Sequence, residues 1–250
     1  MNNCKVILLG TNGWYDTATG NTISILVDIP NSYIVLDAGN GIYKLDNYLI
    51  EDKPVYLFIS HYHLDHTVGL HILPKFKIKN KLFIIGPNNA KKFFKFFIEA
   101  PFTTPLKDIK YPIEILEMPI DYQKIPFDCE ILAMRHSIYC QGIRIEVSGK
   151  VITYCPDTGY CENAVKLSKN ADILLTECAN PSGYTNPNWP HLNPETAAQI
   201  AKEASAKKLV LVHFDAEVYD NFDKRNNAEK IAHQIFDNAV AGRDGDEFII

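Results

Sequence analysis

The sequence lacks several features that would place it in a specialised class of protein. It has no apolar run of about 18 residues, which excludes a transmembrane helix. It has no internal repeat and no low-complexity tract, which excludes repeat and fibrous architectures. No Gly/Ser-rich linker divides its 250 residues, and 46% of them are hydrophobic. We therefore expect one globular domain spanning residues 1–250.

Cysteine is sparse and shows no pairing pattern. Six cysteines occur in the chain and none forms a Cys-x-x-Cys pair, so the sequence does not describe a disulfide scaffold. The opening residues show neither the long apolar stretch nor the small-residue cleavage site of a secretory signal. We therefore expect a cytoplasmic protein with reduced thiols and no association with a membrane.

Charge is unevenly distributed along the chain. The net charge is −5, yet residues 66–98 contain seven lysines and no acidic residue. A basic patch on an acidic protein suits a phosphate-bearing substrate better than general binding to nucleic acid. Alternation of four lysines between residues 75 and 81 equally fits the solvated edge of a strand, which we favour. The sequence leaves open whether the lysine-rich segment 75–95 contacts substrate.

The apolar pattern predicts antiparallel hairpins in the first third of the chain and alternating strands and helices in the last half. This combination predicts an α+β fold, in which two sheets pack face to face with helices outside. The predicted strands are Val6–Leu9, Ile23–Val27, Tyr33–Leu36, Val55–Ile59, Leu82–Ile85, Ile113–Leu116, Glu130–Met134, Gly142–Val147, Val151–Tyr154, Ile173–Thr176, Leu209–Val212 and Phe248–Ile250. The predicted helices are Asn88–Ala100, Asn163–Lys169, Pro194–Ala206 and Asn226–Asn238.

A histidine-rich segment, Ser60–His66, directly follows one of the predicted strands. On extended backbone His61 and His63 project to the same side, because side chains alternate along a strand. Asp65 and His66 follow within the next turn and can reach a second point nearby. Three imidazoles and a carboxylate in six residues are hard to explain as packing, and both groups are ligands for Zn, Mn or Fe. The segment therefore predicts a metal site.

Further candidate ligands lie far away in sequence but in similar settings. His136, Asp157 and His213 each come just after a predicted strand. Residues at the strand ends along one rim of a sheet converge in space, so we expect these side chains to join the histidine-rich segment. His71 and His233 have no such setting, and we expect them to be ordinary structural residues.

Seven residues resemble, in kind and in order, the metal-ligand set of the metallo-β-lactamase superfamily. The resemblance covers nearly the whole chain and is most specific to the ribonuclease Z-like branch of phosphodiesterases. It implies an αββα sandwich of two mixed β-sheets flanked by helices. The segments that carry it are Leu8–Thr11, Val35–Gly39, the His61-x-His63-x-Asp65-His66 motif, Ala171–Glu177, His191 with Thr196–Ala198, Leu209–Phe214 and the C-terminal Asp244–Gly245.

The resemblance also implies a dinuclear centre that activates water. Two divalent ions, with zinc expected first and manganese or iron also suited to the ligands, would share a hydroxide that attacks phosphorus. Asp65 could in addition accept a proton from that water. One ion would be held by His61, His63 and His136, the other by Asp65, His66 and His213, with Asp157 bridging them.

Two further residues match catalytic positions of the ribonuclease Z-like branch. The resemblance implies that His191 contacts the phosphate and assists the leaving oxygen, and that Glu177 orients it. A phosphodiester has a poor alkoxide leaving group, so a positioned proton donor is useful. The alternative is that His191 merely caps or packs the loop Pro190–Pro194. Trp14 lies in the loop after the first strand, where a related enzyme would approach its substrate.

The chain also departs from ribonuclease Z itself. Only 69 residues separate His66 from His136, and none of them forms a long Gly/Pro-rich arm. His213 is followed by Phe214–Glu217, which lacks the Ser and the Arg-Tyr pair expected there in ribonuclease Z. These departures disfavour a tRNA 3′-processing endonuclease, although nucleic acid stays open as a substrate. We expect a phosphodiesterase acting on a small or cyclic phosphodiester or nucleotide.

Two other classes of function fit the same ligand set. An acyl hydrolase acting on a lactone, thioester or β-lactam could use the same pair of metal ions. A non-catalytic metal-binding sensor could share the fold, and substitution of Asp65 would abolish turnover in a hydrolase but not ligand binding in a sensor. Relatives in the ribonuclease Z-like branch are often dimers, so a homodimer is open, but no interface can be identified in the sequence.

Overall fold

The computed structural model of the chain describes residues 4–250. All twelve predicted strands are present, because each lies where an apolar run is bounded by turn-forming residues. The strands of the described part are β1 (Lys5–Gly10), β2 (Asn12–Gly13), β3 (Ser24–Ile29), β4 (Ser32–Leu36), β5 (Val55–Phe58), β6 (Leu82–Gly86), β7 (Ile113–Glu117), β8 (Asp128–Ala133), β9 (Gln141–Val147), β10 (Lys150–Cys155), β11 (Ile173–Glu177), β12 (Leu209–Val212), β13 (Phe214–Asp215), β14 (Ala239–Ala241) and β15 (Glu247–Ile249). The short strands β2, β13 and β14 were not predicted.

The helices are short. The third α-helix is capped by Asn193, whose Oδ1 accepts a hydrogen bond from the amide of Thr196 at 2.9 Å, and Pro194 opens the helix. Within residues 4–250 no helix combines the length and the apolar character needed to cross a membrane. The α-helices are α1 (Ala90–Phe97), α2 (Glu162–Leu167), α3 (Pro194–Glu203) and α4 (Phe222–His233), and the 3₁₀ helices are Asn40–Asn47, Leu64–His66, Val68–Lys75, Leu106–Asp108 and Tyr122–Lys124.

The last helix differs most from its prediction. It begins at Phe222 rather than at residue 226, because Asn221 Oδ1 accepts a hydrogen bond from the amide of Lys224 at 3.0 Å and caps an earlier first turn. The helix ends at His233, and the predicted helical residues beyond it lead into β14, a strand that the sequence pattern did not reveal. This strand is too short for its alternation to be recognised.

One sheet contains seven strands in the order β15-β1-β3-β4-β5-β6-β7. The pairings of β1, β3, β4 and β15 are antiparallel, as the sequence predicted for the opening strands. The prediction of hairpins throughout the first third was wrong for β5. This strand pairs parallel to β4, because the chain crosses back through the 3₁₀ helix Asn40–Asn47 before it enters β5.

The other sheet contains six strands in the order β14-β12-β11-β10-β9-β8. Strands β10, β11, β12 and β14 are parallel, with α2, α3 and α4 in their connections. Strands β8, β9 and β10 are antiparallel neighbours. Both sheets are therefore mixed.

The two sheets pack face to face and bury both of their faces. Ile25 and Ile34 of the first sheet share one apolar cluster with Ile152 and Ile173 of the second. The intervening side chains of the same strands point outward, so that Leu174 packs instead with the helices of the second sheet. A third cluster lies between the first sheet and its own helices. The predicted αββα sandwich is confirmed.

The lysine-rich segment does not form the edge of a strand, so that expectation was wrong. Lys75 ends a 3₁₀ helix, and Lys77 and Lys79 lie in the loop before β6, which is an interior strand. Lys81 forms an ion pair of 2.5 Å with Glu114. Because β6 begins beside the start of β5 while the histidine-rich segment follows the end of β5, this loop lies at the opposite end of the sheet.

Candidate metal centre

The predicted site residues converge at the carboxyl ends of the strands of both sheets. The histidine-rich segment follows β5 of the seven-stranded sheet, whereas three ligands follow strands of the six-stranded sheet. The centre therefore lies where the two sheets meet. The positions beyond strands of the second sheet are His136 after β8, Asp157 after β10 and His213 after β12, with Glu177 as the last residue of β11.

The histidine-rich segment is folded so that its polar side chains share one side. Extended backbone continues through His63, and the 3₁₀ turn Leu64–His66 then reverses the direction of the chain. The turn is closed by a hydrogen bond from the amide of His66 to the carbonyl of His63 at 3.1 Å. Thr67 Oγ1 donates a second hydrogen bond to the same carbonyl at 3.0 Å. His66 thereby enters the same region as the two preceding histidines.

Four side chains form the first potential ligand group: His61, His63, His136 and Asp157. His136 Nε2 lies 3.3 Å from His63 Nδ1 and 3.7 Å from Asp157 Oδ2. His61 Nε2 lies 3.8 Å from the same carboxylate oxygen. These atoms surround one point, as the ligands of a single cation do.

The second group consists of Asp65, His66 and His213. His213 Nε2 lies 3.1 Å from His66 Nε2 and 3.2 Å from Asp65 Oδ2. The other oxygen of Asp157, Oδ1, lies 3.1 Å from His66 Nε2 and 3.2 Å from His213 Nε2. Asp157 therefore presents one oxygen to each group. A third potential ligand group joins Asp157 and His213 to His191.

The donor set fits divalent cations. His61 Nε2 and Asp157 Oδ1 are buried and lack a well-directed hydrogen bond, which is costly for polar atoms without another partner. Nitrogen and carboxylate donors of this kind bind Zn, Mn or Fe. His71 and His233 belong to none of the metal-ligand groups in the described part of the chain.

The first group is in the protonation state that a metal requires. Burial and the positive charge of the neighbouring His66 hold the pKa of His61 well below its ordinary value. Burial likewise lowers the pKa of His63, and it lowers the pKa of His136 to about 4. All three imidazoles are therefore neutral near pH 7, with lone pairs free to bind a cation.

In the second group, carboxylates and imidazoles shift one another's pKa towards their charged forms. Burial disfavours protonated His66, but the carboxylates of Asp157 and Asp37 outweigh it and raise the pKa well above the ordinary value. Burial also disfavours ionised Asp65, but His66 and His213 lower the pKa of this carboxyl below its usual range. A cation binding here competes with protons on the imidazoles, so binding releases protons.

A buried carboxylate, Asp37, supports the centre from behind and was not predicted as a site residue. It accepts hydrogen bonds from the amide and hydroxyl of Ser60 at 2.7 and 2.8 Å. It accepts two more, each of 2.7 Å, from His66 Nδ1 and Tyr154 Oη. The bond to Nδ1 fixes the tautomer of His66 that turns the lone pair of Nε2 into the centre. Asp37 directly follows β4, just as Asp157 directly follows a predicted strand, so the same sequence signal could have identified it.

His191 lies beside the centre and is oriented by Glu177, as the resemblance implied. Glu177 Oε1 lies 2.7 Å from His191 Nδ1. The same carboxylate accepts hydrogen bonds from the amides of Thr158 at 2.6 Å and Ala179 at 3.1 Å, which fix its direction. Burial disfavours the imidazolium, but Glu177 outweighs it and raises the pKa of His191 to about 9. The raised pKa favours the protonated imidazole near pH 7, the form in which His191 can donate a proton.

A cavity of about 310 Å³ opens onto these groups. Its walls combine the reactive side chains with two tryptophans, Trp14 and Trp189. The sequence pattern drew attention to Trp14 but not to Trp189, since nothing in the local sequence distinguishes an exposed loop tryptophan at a site from one elsewhere. The cavity volume is at the lower end of the range for small-molecule sites.

Comparison with known proteins identifies the family. Residues 32–214 match the beta-lactamase superfamily domain, and the chain belongs to that superfamily. The Bacillus subtilis protein named "Probable metallo-hydrolase YhfI" is 26% identical over 242 residues, covering 94% of this chain and 95% of that protein. Ribonuclease Z of Pyrococcus abyssi is 26% identical over 300 residues, covering 98% of this chain and 96% of that enzyme.

Solved structures agree with this assignment. The metallo-beta-lactamase fold protein YhfI from Bacillus subtilis aligns with a TM-score of 0.81 at 25% identity, covering 100% of both chains. The short form of human tRNase Z aligns with a TM-score of 0.74 at 22% identity, covering 98% of both chains, and shows the shared fold. The fold, the family and the His/Asp groups together define a metallo-hydrolase with ribonuclease Z-like relatives, which confirms the family predicted from the sequence.

Proposed function

We propose that the protein is a dinuclear metal-dependent phosphodiesterase that acts on a small or cyclic phosphodiester. The observation that best supports this proposal is the position of Asp157, whose two oxygens face two separate ligand groups. A single-ion site has no need for the second group. The adjoining His191–Glu177 pair supplies the proton donor that a phosphodiester requires and that a simple metal-binding protein does not.

The chain's own residues divide the work of the reaction. When bound, divalent ions lower the pKa of water and neutralise charge on phosphoryl oxygens. The Asp65 carboxylate is ionised and can accept a proton, and the amide of Trp14 holds it by a hydrogen bond of 2.8 Å to Oδ2. His191 enters the reaction protonated and gives its proton to the leaving oxygen, while Glu177 stabilises the imidazolium and fixes its direction.

We favour phosphorus over an acyl carbon because the His191–Glu177 pair matches catalytic positions of the ribonuclease Z-like branch. The proton donor by itself argues only against a thioester, whose thiolate leaves without a proton, because a lactone alkoxide and a β-lactam nitrogen need protonation as a phosphodiester does. The lysine-rich segment does not support a phosphate-bearing substrate. Its first lysines lie at the end of the sheet opposite the candidate metal centre, and Lys91 forms an ion pair of 2.9 Å with Asp121. The argument for phosphorus therefore depends on His191 and Glu177.

The test of this function is hydrolysis of bis(p-nitrophenyl) phosphate by protein loaded with zinc, manganese or iron. A β-lactam, a lactone and a thioester are assayed in parallel. We expect diester turnover, with zinc the most effective metal, and little turnover of the acyl substrates. Acyl turnover without diester turnover contradicts the proposal, and two bound metal ions without any turnover would favour a sensor.

Replacing His191 with alanine is expected to lower kcat by about 10²- to 10³-fold on a cyclic nucleotide, whose leaving group is an alkoxide, and by much less on bis(p-nitrophenyl) phosphate, whose nitrophenolate leaves without a proton. The wild-type kcat should be retained below pH 9 and fall as the pH rises through the pKa of about 9, because the donor then loses its proton. The variant should lack this alkaline decrease. His233→Ala is the matched control, since this histidine lies at the end of α4 outside the ligand groups. An unchanged pH profile in the His191 variant would rule out the donor role.

Cleavage of RNA is a second candidate function. It is favoured by the likeness to ribonuclease Z of Pyrococcus abyssi, which extends over 98% of this chain. The small cavity and the short connection between His66 and His136 favour the smaller substrate. Incubation of the metal-loaded protein with a precursor tRNA distinguishes the two, because specific cleavage at the 3′ end at low enzyme concentration would make RNA the substrate.

A further inference from the structure

Both tryptophans of the chain lie at the entrance to the same cavity. Trp14 and Trp189 are far apart in sequence, yet their rings stack with centroids 6.1 Å apart and planes 23° apart. Trp189 is also nearly parallel to the ring of His63, with centroids 5.8 Å apart. The two indoles therefore form one aromatic wall beside the candidate metal ligands.

Core packing does not account for this wall, because both rings remain accessible. Trp14 is 56% exposed and Trp189 is 37% exposed. Large exposed aromatic rings that meet beside a cavity containing a few polar groups are typical of ligand contacts. Scattered single apolar residues at a surface are ordinary, whereas a stacked pair beside the cavity that contains the reactive side chains calls for an explanation.

The backbone holds each ring in a defined place. Trp14 has a φ of 65°, in the left-handed region that a tryptophan rarely adopts, and its amide donates to Asp65 Oδ2 at 2.8 Å. The loop of Trp189 is fixed through Asn193, whose side-chain amide donates to the carbonyl of Tyr184 at 3.0 Å. The wall is thus positioned before any ligand binds, which lowers the entropic cost of binding.

We propose that Trp14 and Trp189 form a stacking wall for a planar aromatic group of the substrate, so that the site takes a nucleotide-like phosphodiester. This inference rests on the proposed phosphodiesterase function. Trp189 is two residues from His191, and the two rings have centroids 6.1 Å apart. A base stacked on the wall therefore places its attached phosphate near the proton donor and the metal ligands. Stacking tolerates any base, since each has an aromatic face.

The wall is tested by binding, independently of turnover. Dissociation constants of adenosine 5′-monophosphate and ribose 5-phosphate are measured by calorimetry on zinc-loaded protein. Base stacking predicts that the adenosine compound binds about 5- to 100-fold more tightly. Trp14→Leu and Trp189→Leu should each reduce this preference, Trp189→Phe should retain most of it, and ribose 5-phosphate should bind all variants alike. Tyr43→Leu is the control, because Tyr43 is 58% exposed but does not line the cavity.

A second assay separates this inference from the proposed function. Methyl p-nitrophenyl phosphate has no aromatic group on its non-leaving side, so its turnover reports the diesterase activity alone. Turnover of this compound without any preference for adenosine 5′-monophosphate overturns the stacking wall and leaves the diesterase intact. A preference that Trp189→Leu removes supports the wall even when no diester is hydrolysed. A preference unchanged in both leucine variants overturns it.

Discussion

An Asp157→Asn variant is expected to bind at most one metal ion per chain and to lose diester turnover by at least about 10³-fold. The carboxylate lies between the two ligand groups, with His66 and His213 about 3 Å from one oxygen and His61 3.8 Å from the other. An amide has the same shape but no charge, and it can turn only one oxygen towards one group. The loss should appear both in metal content, measured by mass spectrometry, and in kcat.

The matched control for this variant is Asp220→Asn, which makes the same chemical change at an exposed position whose carboxylate contacts the surface side chains of Lys224 and Asn221. It should keep the wild-type metal content and kcat. Two metal ions per chain in the Asp157 variant would show that the carboxylate does not bridge them. Full metal loading with lost turnover would instead place Asp157 in the reaction and not in metal binding.

An Asp37→Ala variant is expected to lower the free energy of unfolding by about 3–5 kcal/mol and the melting temperature by about 10 °C. The change leaves Ser60, His66 and Tyr154 without their buried acceptor. It also places alanine at a φ of 60°, which asparagine and aspartate tolerate better. Without the bond to Nδ1, His66 can turn, and metal affinity should fall by about 10- to 100-fold.

Asp37→Asn separates the two consequences of this change. It keeps the left-handed backbone and one acceptor oxygen, but its NH₂ group cannot accept from the donors that surround it. We expect a smaller loss of stability than in the alanine variant and a comparable loss of metal affinity. Thermal unfolding and competition with a metal chelator measure the two quantities. An alanine variant as stable as the wild type would contradict the described network.

The sequence predicted that these side chains lie together because several of them belong to one short segment, and their role as metal ligands stays a prediction. His61, His63 and His66 are separated by one turn, so their proximity required no tertiary information. The convergence of His136 and Asp157 could be predicted because both follow strands, and the ends of strands that run in the same direction lie on one rim of a sheet. What the residues would do with a metal came from the resemblance and not from their spacing.

Other parts of the site depend on contacts that no local pattern records. Trp189 acquires its setting from a loop that folds back over His63 and Trp14. The lysines near residue 75 alternate as strand residues do, yet β6 begins only at Leu82, and the preceding residues form a loop. Alternation in polar sequence is weak evidence for a strand, because nothing in such a segment needs to be buried on one side.

The junction of the two sheets at the metal centre has a consequence for the whole molecule. Four of the expected ligands follow β5 in one sheet, and three follow β8, β10 and β12 in the other. Occupancy by cations that bind only the folded chain contributes to stability by mass action, by about 2.7 kcal/mol at a free concentration one hundred times the dissociation constant. Metal supply would therefore govern how much of the chain stays folded as well as how much of it is active.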